Sequence, residues 1–475
     1  MRQQFGILLP KLRVINNHDV LISVSPNSPT DHDVFDGYIP MFVNWRGGRY
    51  PGNLHIFVKA RNLDRNISVR GSVFFELVDG PLVSFDHGMH YLSLPNMFRN
   101  LSMKIIHRRS NSTVIPLPIT YRPCVDEFTP MNQCAGIPGA FQFSLPLHSV
   151  DYRIAVDGAT RVIDLDYILT SAKRDQAMQE TRWITVLHPM KLYPVPVEMQ
   201  IELVVTHILH HLRVGGSGTA WYVRRHHIIH LQDNGTIQRL IRERKLYLVG
   251  WDIFSQPENE GSGFDSVFVK HHAALSYWGE KTWLLFIDVD EFLALPPPTS
   301  TISNAMLLFT NARPCWLLQR QNVFHSNEKS RNMNNKYRDV FDVDNWSRMR
   351  ALYNASGLGS AVWQLTFQRE MTGLKPFMNP DQAFFGFVHE AWELLYTEHL
   401  VLGPDARRGA MSFSVGDLRG CNKLDMHEAY VAHNVNAFGV RAGPAEEVND
   451  AWLWAYPEPL NPGGEAEADP SEQQN

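Results

Sequence analysis

The stretch Trp283-Leu-Leu-Phe-Ile-Asp288-Val-Asp290-Glu291-Phe-Leu293 decides how the rest of the chain is read. Its first five residues are an unbroken apolar run, the pattern of a strand buried on both faces. The acids begin where that strand ends. At such an end the chain turns, and carboxylates two residues apart can meet one cation. Glu291-Phe292-Leu293 then returns the chain to the core, and Pro296-Pro-Pro298 closes the segment. Hard oxygen ligands of this kind suit Mn²⁺ or Mg²⁺. A cation held there would stabilise the negative charge that develops on a diphosphate leaving group.

Upstream of this stretch, strand and helix patterns alternate. Trp183-Ile-Thr-Val-Leu187 predicts a buried strand, and a helical run after Pro194 and Pro196 extends to Gly215-Gly216. A strand at Ala220–Val223, a helix at Thr236–Arg244, a strand at Leu246–Val249 and a helix at about Ser266–Trp278 follow. This order predicts an α/β fold with a mostly parallel sheet covered by helices. Ligands in such sheets bind at the carboxyl ends of strands, where Asp252 and Asp288 both fall.

The first 178 residues read differently. Short alternating runs such as Leu54-His-Ile-Phe-Val58 and Val73-Phe-Phe-Glu-Leu77, separated by turn residues, predict a β-rich N-terminal domain. The expected organisation is therefore this domain over 1–178, the α/β domain over 179–443, and an acidic, Pro-rich tail over 444–475 that is largely disordered. A chain of 475 residues is long for a single core, which agrees with two domains.

Composition excludes several classes. Lys and Arg total 44 against 49 Asp and Glu, a net charge of −5, so there is no basic footprint for nucleic acid. No run of 18 apolar residues is present, and Phe5–Leu9 is cut short by Pro10 and Lys11, so neither a membrane span nor a signal peptide is expected in this chain. Four cysteines, at 124, 134, 315 and 421, lack zinc spacing. Cys124 and Cys134 are near enough to close a small loop disulfide, or to stay as buried thiols. Sequons at Asn66, Asn100, Asn111, Asn234, Asn345 and Asn354 lean towards the secretory pathway. The pairs His210-His211, His226-His227 and His271-His272 lack the metalloprotease pattern and read as structural.

The segment from Trp283 to Leu293 resembles the signature of glycosyltransferase family 92. The resemblance extends over about 182–441: Glu202, His211, Gly215 and Tyr222 are similar to the family's helix, late His, Gly and strand, Phe387-Val388-His389 to a later His, and His433-Asn434 to a final one. It implies a GT-A (Rossmann-like) catalytic domain that moves a hexose, galactose from UDP-galactose with inversion, onto a glycan or glycoprotein. It also implies a Golgi enzyme with a membrane anchor that this chain does not include.

On that footing Asp288, Asp290 and His433 are the expected metal ligands, a neutral imidazole completing the site without added charge repulsion. Asp252 and Asp288 would contact the donor, as the likeness to GT-A enzymes implies. Glu291 and His389 are further site candidates, and Asp381 and Glu390 are candidates for the carboxylate base. The segment departs from the family at Lys270-His271-His272 and at Asn434, which keeps open a non-catalytic sugar-binding relative. An aspartyl-nucleophile phosphohydrolase is the third reading; Phe292 stands where such enzymes carry Thr or Val.

Overall fold

The computed structural model describes residues 13–14, 20–24, 32–45, 48–63, 66–77, 103–107, 115–117, 119–121, 136–146, 152–156, 162–164, 181–189, 197–223, 225–251, 264–295, 313–325, 365–367, 374–385, 391–401, 411–425, 428–434 and 447–448. The expected tail lies outside these residues apart from Glu447–Val448, which pairs with Leu365–Phe367.

The acidic stretch sits in a mixed sheet. Its strands are β1 (Arg182–Leu187), β2 (Gly218–Val223), β3 (Leu246–Gly250), β4 (Thr282–Phe286), β5 (Glu291–Ala294), β6 (Cys315–His325), β7 (Leu365–Phe367), β8 (Leu374–Met378), β9 (Asn422–Lys423) and β10 (Tyr430–Asn434). The helices are α1 (Val197–Arg213), α2 (Arg225–Gln232), α3 (Gly235–Arg242) and α4 (Phe264–Ser276). The spatial order is β3-β2-β1-β4-β8-β6-β7, with β5 paired to β10 and β10 to β6.

The strands β1 to β4 are apolar at every other position on both faces, so each face needs a cover. Ile184, Ala220, Tyr222, Tyr247, Val249, Leu284 and Phe286 pack on one side against Phe268, Val269 and Ala273 of α4. On the other, Trp221, Val223, Leu246 and Leu248 meet Val204 and Ile208 of α1 and Ile237, Leu240 and Ile241 of α3. The buried positions of α1, among them Ile201, Val204, Ile208 and His211, recur at helical spacing. That helix ends at Gly215, whose φ of 92° suits a residue without Cβ, and Gly216 donates to the His211 carbonyl at 2.7 Å.

The mostly parallel, Rossmann-like GT-A sheet that the alternation predicts is corrected here. Pairing is parallel between β1 and β2, β2 and β3, and β1 and β4, but β4 and β8, β8 and β6, and β6 and β7 are antiparallel. Strand also exceeds helix about twofold among the described residues, at 52% and 24%. The cause is local. An apolar run such as Leu374-Lys-Pro-Phe-Met378 carries no mark of its direction.

The N-terminal strands Gly48–Leu63, Asn66–Leu77 and Gly136–Pro146 form an antiparallel series, as the alternating runs predict. Met411–Gly420 extends that sheet by pairing Phe413 with Phe143. Polar contacts also tie it to α4. Lys59 Nζ donates to the carbonyls of Ser276 (2.8 Å) and Trp278 (3.1 Å), satisfying acceptors that a helix C-terminus leaves open. Among the described residues no helix is long and apolar enough to cross a membrane.

Candidate metal centre

Strand β4 delivers Asp288 to the sheet edge, and the chain then tightens into a turn closed by Glu291 N–H donating to Asp288 O at 3.0 Å. The Glu291 side chain reaches back, its Oε2 accepting from the Asp288 N–H at 2.7 Å. Glu291 is fully buried at 0% exposure. A carboxylate so deep requires counter-charge, and two cations supply it: Lys375 Nζ at 2.8 Å and Arg320 Nη1 at 3.5 Å.

Lys375 serves two acids at once. Its Nζ also lies 2.7 Å from Asp288 Oδ2, while His188 Nε2 lies 2.9 Å from Asp288 Oδ1. Burial alone would raise the Asp288 carboxyl, but Lys375 foremost, then His188 and Lys270, hold it well below the usual carboxylate range. Burial lowers the Lys375 ammonium, and the two carboxylates more than reverse this, so it stays charged. The Asp288 side chain keeps 32% of its surface exposed.

Asp290 turns the other way. Its Oδ2 faces His433 Nε2 at 3.4 Å, both side chains nearly buried. The contact follows from register, since β5 and β10 are antiparallel with Glu291 opposite His433. Of the three expected metal ligands the fold therefore brings two into direct contact, and it places Asp288 against Lys375 and His188.

Among the described residues no group of three or more His, Cys, Asp or Glu is arranged to hold a metal ion. A divalent cation that serves a diphosphate does not need one, because Mg²⁺-like ions are commonly bound by one or two carboxylates with the phosphates and water supplying the rest. A carboxylate and an imidazole facing each other at 3.4 Å fit that arrangement. Asp288, with its two oxygens engaged by Lys375 and His188, does not join it in this structure.

The remaining candidates separate. Asp381 is not brought to this centre: β8 runs antiparallel to β4 with Met378 opposite Leu284, so the chain beyond Met378 carries Asp381 towards Gly279, away from Asp288. Its carboxylate there accepts from the Gly279 N–H and lies 4.0 Å from Arg61. A base must reach the acceptor hydroxyl, so the role expected for Asp381 is withdrawn. Asp252, His389 and Glu390 lie outside the described residues, as do Cys124 and Cys134. The disulfide that is described joins Cys315, at the start of β6, to Cys421, 106 residues later.

Beneath the turn lie three buried histidines of α1. Burial foremost pushes His207 down to about 3 and His210 to about 4, and holds His211 well below its ordinary value. His272, on α4, is likewise pushed down to about 3, chiefly by burial. All four are neutral when folded, so below about pH 6.5 the unfolded chain binds more protons than the native one. Stability is thus full above pH 6.5 and falls towards pH 4, by up to about 1.4 kcal/mol per pH unit for each histidine. Denaturant melts at pH 7.5, 6 and 5 check this; a constant midpoint would contradict it.

A scan of protein-family models and a search of curated proteins each return no match to this chain.

Proposed function

We propose that the chain is a metal-dependent glycosyltransferase acting on a nucleoside-diphosphate sugar. The observation that carries this reading is the pairing of Asp290 with His433 at 3.4 Å, at the end of a buried strand and beside a second, partly exposed acid, Asp288. Asp290 and His433 would hold the Mn²⁺ or Mg²⁺ ion. When bound, that ion supplies neutralisation of the charge developing on the leaving diphosphate.

The chain's own residues do the rest. Lys375 and Arg320 balance Glu291, so the turn that aims Asp290 keeps its shape. The exposed edge of Asp288 faces solvent with its charge fixed by Lys375 and His188, which suits recognition of donor hydroxyls. The likeness to family 92 favours UDP-galactose as donor and a glycan or glycoprotein as acceptor. The Cys315–Cys421 disulfide and six sequons favour the lumen of the secretory pathway, and the likeness to family 92 favours the Golgi within it.

A second reading has one observation in its favour. Two of the three acids already have lysine or arginine partners, as a non-catalytic sugar-binding relative would tolerate. Nucleotide release from a panel of UDP-hexoses, with Mn²⁺ and a mixed glycan acceptor, separates the two. Turnover with at least one donor is expected, and binding without turnover across the panel would favour the second reading.

The His433→Ala variant tests the ligand assignment. It should weaken Mn²⁺ affinity about tenfold or more with little loss of stability. A destabilised variant of unchanged Mn²⁺ affinity would assign His433 to the core instead.

A further inference from the structure

Strand β5, which carries Glu291 and follows Asp290 directly, has among the described residues a strand neighbour on one side only, β10. An edge strand's outward N–H and C=O groups need partners when buried, and Leu293 is 2% exposed. Helix α1 supplies them through side chains. His211 Nε2 accepts from the Leu293 N–H at 3.2 Å, and His210 Nε2 donates to the Leu293 carbonyl at 2.9 Å. Two consecutive histidines thus take the place of a neighbouring strand at one residue.

The arrangement fixes both tautomers. His211 accepts at Nε2, so its proton is on Nδ1, which donates to the His207 carbonyl one helical turn back at 2.8 Å. His210 must carry its proton on Nε2. Phe292 fills the space between them, with ring centroids 5.9 Å from His207, 5.1 Å from His210 and 6.3 Å from His211, the last pair stacked. His207 also packs on His211, with ring centroids 4.1 Å apart. The contacts of these three side chains therefore fall on Phe292 and Leu293, which follow Asp290 and Glu291 directly.

We propose that His210 and His211 are positioning residues for the acidic turn, clasping Leu293 so that β5 sits at the depth that brings Asp290 to His433. The inference rests on the metal reading of that pair. An apolar side chain at either position would fill the space and leave a buried backbone group of Leu293 unpaired, letting β5 shift against β10. A merely structural role would lower stability and leave the metal affinity of the folded fraction unchanged.

The test compares His211→Leu and His210→Leu with His211→Gln and His210→Gln, whose amides can restore the acceptor and the donor. Three quantities are read on the intact chain: amide hydrogen exchange at Leu293, Mn²⁺ affinity by titration of free Mn²⁺ in the presence of UDP, and a denaturant melt. Each Leu variant should bind Mn²⁺ about tenfold or more weakly, as loss of an outer support does in metal sites. The Leu293 amide should exchange faster in His211→Leu, and the Gln variants should come within about threefold of wild type. A folded His211→Leu chain with wild-type Mn²⁺ affinity would overturn the proposal. If the Leu variants do not fold, the Gln variants decide: wild-type affinity supports the clasp, and loss of affinity in a folded Gln variant with a protected Leu293 amide overturns it. If wild type binds no Mn²⁺, the metal reading fails by itself. Exchange at Leu293 then judges the clasp, faster exchange in folded His211→Leu supporting it and unchanged exchange overturning it.

Discussion

Replacing Asp290 with Ala should reduce sugar transfer at least about a thousandfold while the chain stays folded. The nearly buried side chain faces His433, while Glu291 and its two cations brace the turn separately. Removing Asp290 therefore takes away a ligand without uncovering a buried charge, and the loss should appear in turnover and Mn²⁺ dependence. Asp290→Asn, which keeps the shape and loses the charge, should fall nearly as far. Initial rates of nucleotide release across a Mn²⁺ series provide the measurement. Near-normal, Mn²⁺-stimulated activity in Asp290→Ala would remove Asp290 from the site.

Lys375 should give the largest stability effect in the molecule's described core. It is 1% exposed and contacts two carboxylates, one of them fully buried. Lys375→Met leaves Glu291 with Arg320 alone at 3.5 Å and should cost about 3–5 kcal/mol, the usual penalty for removing one partner of a buried ion pair. Adding Glu291→Gln to that variant removes the stranded charge and should restore part of the loss, a coupling that a double-mutant cycle measures. Denaturant melts of the two single variants and the double variant test this. Additive losses would show that Lys375 and Glu291 do not depend on one another.

The contrast between these two positions shows what could be read from the sequence. Asp288 and Asp290 announce themselves because acids directly after an apolar strand need a reason to be there. The strands at 183–187, 220–223, 246–249 and 283–287 and the helices after Pro196, at 236–244 and at 266–278 are likewise readable from apolar period and from Gly and Pro punctuation, whereas α2 (Arg225–Gln232), rich in His and Arg, is not. His433 entered through a family likeness, and its place opposite Glu291 depends on antiparallel register, which no local pattern encodes.

Lys375 does carry a signal in the sequence. A lone lysine inside Leu374-Lys-Pro-Phe-Met378 occupies a strand of buried residues and must find a carboxylate there. Arg320 and His188 carry no comparable mark. Strand direction after β4 is not legible in the sequence, because parallel and antiparallel strands share one apolar signature when both faces are covered. The Cys315–Cys421 bridge spans 106 residues, and spacing alone cannot pair cysteines. The histidine pair on α1 was read as structural, yet only the fold reveals that what it supports is the acidic turn.

The most direct measurement is turnover of UDP-galactose by the intact chain with a glycan acceptor, first with Mn²⁺, then with excess chelator, then with Mn²⁺ restored. The account predicts transfer that stops on chelation and returns when Mn²⁺ is added back. Transfer at the same rate under chelator would contradict a cation held by Asp290 and His433, and absence of transfer under all three conditions, with other UDP-hexoses equally inert, would contradict the glycosyltransferase reading itself.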